Sequence, residues 1–458
     1  MQTNILYPAG STGYLNTMIN PSIMTAKKTI LLALALLPTA SSLYAQTTAG
    51  SNSPYSRYGF GLLSDRATGF NKGMSGVAYG MRDGHELNPA NPASYSSIDS
   101  LSFLFDVGMS FQNGRFSSGS QHTNAKNTSL DYITAGFRLS ENLGMSIGLL
   151  PFSTIGYSMT STTPMDDGTF TRTESYLGEG GLRELYVGAG WKPFHPLSLG
   201  FNLGMLWGEM NHIVQASVST TDAHSLRRQY ASDITTYKAS VGLQLDFPVA
   251  KDHEVVFGAT YGLGHKINSP AHFYNQTSDG TSIISGDSLT THNAFELPHT
   301  IGAGISWRYK KSLRVGADYE FQKWSGLRYP GVTETSQEVS YQPMTGSFDN
   351  SHRIAIGADY VPNPNGIRWR HFVRYNVGFS YRSAYTRVDG TKGPRDYMVS
   401  AGVGLPITNR YNNRSMLNLS VQYEWVKPRF AGQIKEQYLR FCLGISFNER
   451  WFMKWKIE

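Results

Sequence analysis

From about residue 100 onward the chain alternates apolar and polar residues, the two-residue period of a strand whose faces meet different surroundings. In Leu313-Arg314-Val315-Gly316-Ala317-Asp318-Tyr319-Glu320-Phe321 every odd position is apolar. The same holds for Leu417-Asn418-Leu419-Ser420-Val421-Gln422-Tyr423-Glu424-Trp425. The pattern recurs from Tyr237 to Phe247, Ile301 to Tyr309, Val373 to Tyr381 and Tyr397 to Leu405. Runs of about nine to eleven residues fit a tilted membrane-crossing strand. An Arg at the lipid midplane costs about 2–4 kcal/mol, so Arg314, Glu320 and the other off-face residues belong to a polar interior. A secreted or periplasmic β-sandwich would also alternate. The uniform run length and the aromatic strand ends favour a membrane barrel. Trp191, Trp207, Tyr309, Trp324, Tyr360, Tyr381 and Trp425 are expected where strands cross the headgroup level.

About fourteen such strands can be placed, a count within the range of outer-membrane barrels. They begin near Leu101, Leu130, Gly144, Arg183, Leu197, Asp233, His253, Pro298, Leu313, His352, His371, Arg395, Ser415 and Gln437. Their connections alternate short and long. Ser140–Leu143, Lys192–Pro196 and Lys310–Ser312 are short, whereas 161–182, 209–232, 266–297 and 325–350 are long and polar. Short periplasmic turns opposite long outer loops are the wiring of an outer-membrane barrel, and an even count returns both ends to the periplasm. The predicted fold is all-β: a transmembrane antiparallel β-barrel over 101–447 with a periplasmic tail over 448–458.

Upstream, Lys27 and Lys28 precede an apolar run from Ile30 to Leu37, and Leu43-Tyr44-Ala45 then leads to Gln46. A charged start, a short apolar core and a small residue at the cut describe a secretory signal peptide, expected over 24–45 with cleavage between Ala45 and Gln46. The run is too short to span a bilayer as a helix. Met24 reads as the natural start, leaving 1–23 as an upstream extension. No Cys follows the cut to carry a lipid anchor.

Composition sharpens this picture. Charged residues make up 16% and aromatics 13%, with 47 Gly, a balance unlike a helical enzyme or a disordered tail. The net charge of +7 raises nucleic acid as a partner, but Lys and Arg are scattered and no nucleic-acid motif accompanies them. None is expected. Basic loops near anionic headgroups account for the charge. The single Cys442 rules out an intrachain disulfide and a Cys-cluster zinc site. The 12 His show no metal spacing, and no Gly-x-Ser-x-Gly elbow marks a nucleophile. The expectation is no enzyme, no metal and no cofactor.

Between Gln46 and Ser100 lies a segment rich in Gly, Ser, Asn and Pro, with weak alternation and the run Asn88-Pro89-Ala90-Asn91-Pro92-Ala93. Fourteen strands enclose more space than side chains alone fill in a small barrel. A compact hatch or plug folded into the lumen would occupy it; a disordered periplasmic leader is the alternative. Two copies of Asn-Pro-Ala just before the first strand carry a resemblance to the FadL/TodX (OmpP1) family of outer-membrane transporters. So do Glu296-Leu297-Pro298-His299, the strand Val315-Gly316-Ala317-Asp318-Tyr319 with Trp324, and the strand count behind an N-terminal hatch. The resemblance implies passive transport of hydrophobic small molecules, such as long-chain fatty acids or aromatic compounds, or of lipid. It also implies a gate in the third strand, where Pro151 would interrupt the ladder. The residues after Phe447 depart from that family and include Trp451, Phe452 and Trp455. The long loops and this tail suit a second role, as a non-transport subunit of an outer-membrane secretion or protein-assembly complex docked to another envelope protein.

Overall fold

The computed structural model describes residues 51–100, 102–165, 168–220, 223–279, 282–334, 339–366, 368–407, 415–430 and 432–450. The signal peptide, its cut at Ala45 and Gln46, and 451–458 lie outside the described residues. Fourteen antiparallel strands close into one ring. The first two are β1 (Ser102–Ser118) and β2 (Gln121–Ser140). The third, β3, runs in two halves, Leu143–Pro151 and Ser153–Met165. The long strands β4 (Phe170–Phe194), β5 (Leu197–Val218) and β6 (Ser225–Ala250) follow, then β7 (His253–Gly262), β8 (His299–Tyr309), β9 (Leu313–Lys323) and β10 (Ser351–Tyr360). The ring ends with β11 (Arg374–Ser383), β12 (Arg395–Ile407), β13 (Ser415–Lys427) and β14 (Lys435–Arg450). Pairing of β1 with β14, from Ser102↔Arg450 to Ser117↔Lys435, seals it. This seam leaves neither the first nor the last strand with an open edge along its length, as a hydrocarbon solvent requires.

The two faces fall as the alternation predicts. Phe201, Leu203, Ile301, Ile356, Val377 and Phe379 are exposed on the outside, while Arg314, Asp318, Asn376, Ser400 and Gln422 are buried within. This apolar belt on a closed ring makes the chain an outer-membrane protein. Trp191 and Tyr360 are exposed at strand ends. Trp324 is a correction: it is fully buried inside the ring, where its indole N–H donates to Gln322 at 2.7 Å. It falls just past β9, where the chain turns over the lumen and alternation no longer fixes the face.

Strands are longer than their apolar runs. β2 starts at Gln121 rather than Leu130, β4 at Phe170 rather than Arg183, and β6 at Ser225 rather than Asp233. The segments 161–182 and 209–232 are therefore mostly ladder, with Thr173↔Ser217 and Gln215↔Arg227 in register. Above the hydrocarbon both faces meet water or polar loops, so the period that marks a strand disappears while its hydrogen bonds persist. The link 266–297 carries a hairpin, Ala271–Ser278 with Ile283–Thr291, whose first strand extends the sheet beside β6. The link 325–350 carries another, Tyr329–Glu334 with Val339–Met344. At the last strand the expected boundary at Phe447 moves. Leu104↔Asn448 and Phe103↔Glu449 continue the ladder, because β1 supplies partners down to Ser102.

Candidate functional site

The leading segment from Ser51 to Ser100 is largely buried and lies against inward-facing residues of the barrel. Its local folding follows from its composition. Asn91 caps the short helix Pro92–Ser97 by accepting the Ala93 N–H, with Pro92 at the first position, where no donor is needed. Asn88 ties the preceding loop together by donating to the Ala78 and Met81 carbonyls at 2.7 and 3.1 Å. Asn91 donates to Tyr79 (2.8 Å) and to Leu243 of β6 (3.2 Å). The doubled Asn-Pro-Ala run is thus a brace, holding backbone to backbone and backbone to barrel. Pro89 takes part through its carbonyl, which accepts from Asn202 of β5 at 3.1 Å. Ala93 is fully buried and Ala90 borders the inner cavity.

Glycines on the lumenal face let this backbone approach the wall. A Cβ at Gly200 would stand 2.3 Å from the Pro92 carbonyl carbon, and one at Gly258 would stand 1.8 Å from the Tyr79 carbonyl oxygen. Between the glycines, polar wall residues reach the leading segment's backbone. Asp318 accepts the Ala78 and Tyr79 N–H groups at 2.5 and 2.9 Å. Gln244 donates to Tyr79 and Met81, Asn376 to Phe70, Arg353 to Ser75 and Gln422 to Lys72, all at 2.7–3.1 Å. A segment with little regular structure must satisfy its buried amides elsewhere, and the barrel supplies the partners. At one end of the lumen Arg314 sits 2.5 Å from Asp359, with Asp83 and Glu86 at 3.4 and 3.7 Å, and Arg374 also pairs with Glu86.

The third strand is interrupted between Pro151 and Ser153. β2 and the lower half of β3 pair only as far as Ile133↔Leu149. Against β4 the register slips by one residue, from Pro151↔Arg183 to Ile155↔Gly180. Phe152 N–H donates to Leu182 on the β4 side at 2.8 Å. Successive strand amides point to opposite neighbours, so the donor that Pro151 lacks would have faced β2, where the ladder stops. The upper half of β3 turns to the leading segment instead. Leu62–Leu63 pair with Thr154 and Ser153, and Ser56 Oγ receives the Gly156 N–H at 3.0 Å.

Behind this break lies a cavity of about 130 Å³ bordered by Pro151, Phe152, Glu184, Lys238, Trp324 and Arg353. Glu184 is buried and held by Arg66 of the leading segment and by Lys238 of β6, each at 2.7 Å. These charges were not legible in sequence, because Glu184 and Lys238 were marked only by an off-face position in an alternating run and Arg66 by no pattern at all. Above the cavity, Phe60 of the leading segment is fully buried among Phe295, Trp324, Tyr329 and Phe348, with ring centres 5.8–6.5 Å apart. Leu182, Leu206, Ile234 and Phe273 extend this apolar cap.

A closed ring of fourteen antiparallel strands with an apolar outer belt defines a class: outer-membrane β-barrels. Three solved structures share the fold. The Pseudomonas putida toluene transporter TodX matches with a TM-score of 0.58 and 12% identity over 85% of this chain and 100% of that one. A Pseudomonas aeruginosa FadL homologue gives 0.57 and 12% over 84% and 99%. The Ralstonia pickettii toluene transporter TbuX gives 0.54 and 14% over 83% and 98%. Within that class the chain belongs to the BamG family, whose model it matches over residues 25–458. The FadL/TodX resemblance read from sequence stands as a likeness of fold. No curated protein matches the sequence.

Proposed function

We propose that this chain is a non-conducting barrel that serves as a subunit of an outer-membrane protein-assembly complex, its leading segment acting as a plug and brace. The observation that carries this reading is the burial of residues 51–100 against inward-facing side chains of the barrel. Barrel side chains bond the leading segment's backbone along its length, and Phe60 anchors it in an aromatic cap. Each bond to a buried amide contributes about 1 kcal/mol and costs about 1–3 kcal/mol to leave unmade. Moving the whole segment aside for passing cargo therefore carries a large penalty. Membership in the BamG family favours the same reading over transport. Affinity purification of the native chain in mild detergent tests it. A stoichiometric envelope partner is expected, with lower levels of other outer-membrane barrels when the chain is depleted. A chain that purifies alone, and whose depletion leaves other barrels unchanged, overturns it.

One observation favours a second reading, passive uptake of small hydrophobic molecules. The β3 break at Pro151 stands beside the inner cavity. At about 130 Å³ that cavity compares with one that holds benzene, about 150 Å³, and is smaller than drug-sized ligand pockets, about 300–1,000 Å³. This favours a small aromatic over a long acyl chain. Pro151→Val, which restores the missing donor, would lower uptake of toluene into cells if the break is a gate. Unchanged uptake removes that role.

A further inference from the structure

The outer half of the barrel holds a second cavity of about 220 Å³, bordered by Arg57, Tyr157, His212, Tyr230, Phe295 and Tyr341. Two of its groups lack a counterpart. His212 is 8% exposed, and its Nδ1 lies 2.8 Å from the Tyr157 hydroxyl, but its Nε2 is buried with no hydrogen-bond partner among the described residues. A buried polar atom left unmatched is uncommon in a native fold and asks for an explanation. Arg57 ends the short helix Pro54–Arg57 and lies over the Tyr176 ring at 4.4 Å, and no carboxylate pairs with it among the described residues. Glu174, the acid on that part of β4, is already engaged by Arg172 and by the Tyr176 hydroxyl at 2.8 Å. The remaining walls are aromatic, with Tyr230 and Tyr341 ring centres 6.3 Å apart and Phe273 packed behind both.

We infer that this cavity is a binding site for a small aromatic carboxylate. The guanidinium supplies the fork that matches a carboxylate's two oxygens. With the Tyr157 O–H donating to Nδ1, the imidazole carries its proton on Nε2 and donates it to the same carboxylate. The tyrosine and phenylalanine rings take the aromatic body by offset or edge contacts. A hydrocarbon would leave both donors unmatched, and a long acyl chain exceeds the volume. The site does not depend on whether the chain works in a complex.

Titration calorimetry of the purified full-length protein in detergent, with sodium benzoate as probe, tests the assignment. Saturable one-to-one binding is expected, about tenfold or more weaker for Arg57→Gln and about threefold or more weaker for His212→Phe. Benzyl alcohol, similar in size but uncharged, is expected to bind about tenfold more weakly than benzoate. Both variants should keep the folded-barrel band on cold denaturing gels, which separates lost binding from lost folding. Absence of saturable binding to the wild-type protein, or equal benzoate affinity in wild type and both variants, overturns the assignment.

Discussion

The carboxylate of Asp318 on β9 accepts the backbone N–H of Tyr79 at 2.9 Å, joining the barrel wall to a residue 239 positions away in the leading segment. The same oxygen also accepts the Ala78 N–H. Asp318→Ala strands both amides in a buried site, at about 1–3 kcal/mol each. Hydrogen exchange of the amides around Ala78 and Tyr79 is expected to accelerate by one to several orders of magnitude. The barrel strands should keep their protection, since no ladder bond is touched. Equal protection in the variant would mean that the carboxylate does not hold the segment.

Gly258 gives a steric version of the same test. A Cβ there meets the Tyr79 carbonyl oxygen at 1.8 Å, and the obstacle is backbone, which cannot rotate away. Gly258→Val is expected to leave the barrel folded and to expose the leading segment to proteinase K. Gly286, in the outer hairpin, where an added Cβ would meet nothing nearer than 3.6 Å, provides a control position of the same residue type.

These two sites mark where sequence reading stopped. The odd-position apolar residues of β9 and β13 reveal the barrel directly, because lipid and lumen impose opposite demands on neighbouring residues. Gly258 and Asp318 are recognisable from that period as lumenal. What they touch is not recognisable, since the leading segment has no period of its own and its partners are scattered from β2 to β14. Pro151 was legible for a local reason: a missing N–H interrupts a ladder whatever lies beside it. Trp324 was misplaced because its strand had already ended.

Lys72 adds a dependence on pH. Burial disfavours its charge, but Asp131 at 3.0 Å and Asp65 at 4.0 Å outweigh that and hold its pKa above the ordinary lysine value. A raised pKa means that the folded state holds the proton more tightly. The resulting stabilisation is full below the unfolded value of about 10.4 and is lost as pH climbs from there through the folded value. Lys72→Met, which leaves two carboxylates without their cation, should therefore make the leading segment more susceptible to proteinase K at pH 7–9. The difference from wild type should narrow as pH rises beyond about 10.4. A difference that stays constant across that range would assign the effect of Lys72 to packing instead of charge.

The turn between β8 and β9 has a local weakness that can be removed. Lys310 and Lys311 both have positive φ, 49° and 56°, and Ser312 N–H donates back to Tyr309 at 2.9 Å. Two successive left-handed residues closed by that hydrogen bond form a type I′ turn, whose central positions favour Asn-Gly, and a non-glycine residue in the left-handed region costs about 1–2 kcal/mol. Replacing the pair by Asn-Gly is expected to stabilise the barrel by about 1 kcal/mol or more, read as a higher urea midpoint in detergent with an unchanged slope. An unchanged midpoint would show that the lysines gain as much from their surroundings as the backbone loses.

Phe60 is the position at which the plug reading is most exposed to test. It belongs to the leading segment, is fully buried, and stacks with Phe348 at 15° while meeting Trp324 and Phe295 at tilted angles. Truncating a buried Phe costs about 3–5 kcal/mol, and here the loss falls where the segment meets the outer loops. Barrel closure does not depend on this ring, because the β1–β14 seam lies in the ladder itself. Phe60→Ala should therefore loosen the outer end of the leading segment without opening the barrel. In planar bilayers the wild-type protein is expected to show no steady ion conductance, and Phe60→Ala to show brief openings. Combining it with Asp318→Ala should lengthen them, because the second change releases the segment at an independent anchor. Steady conductance in the wild type would contradict a lumen closed by residues 51–100. Silence in the double variant would mean that the bonds from Gln244, Asn376, Arg353 and Gln422 suffice to keep the segment in place.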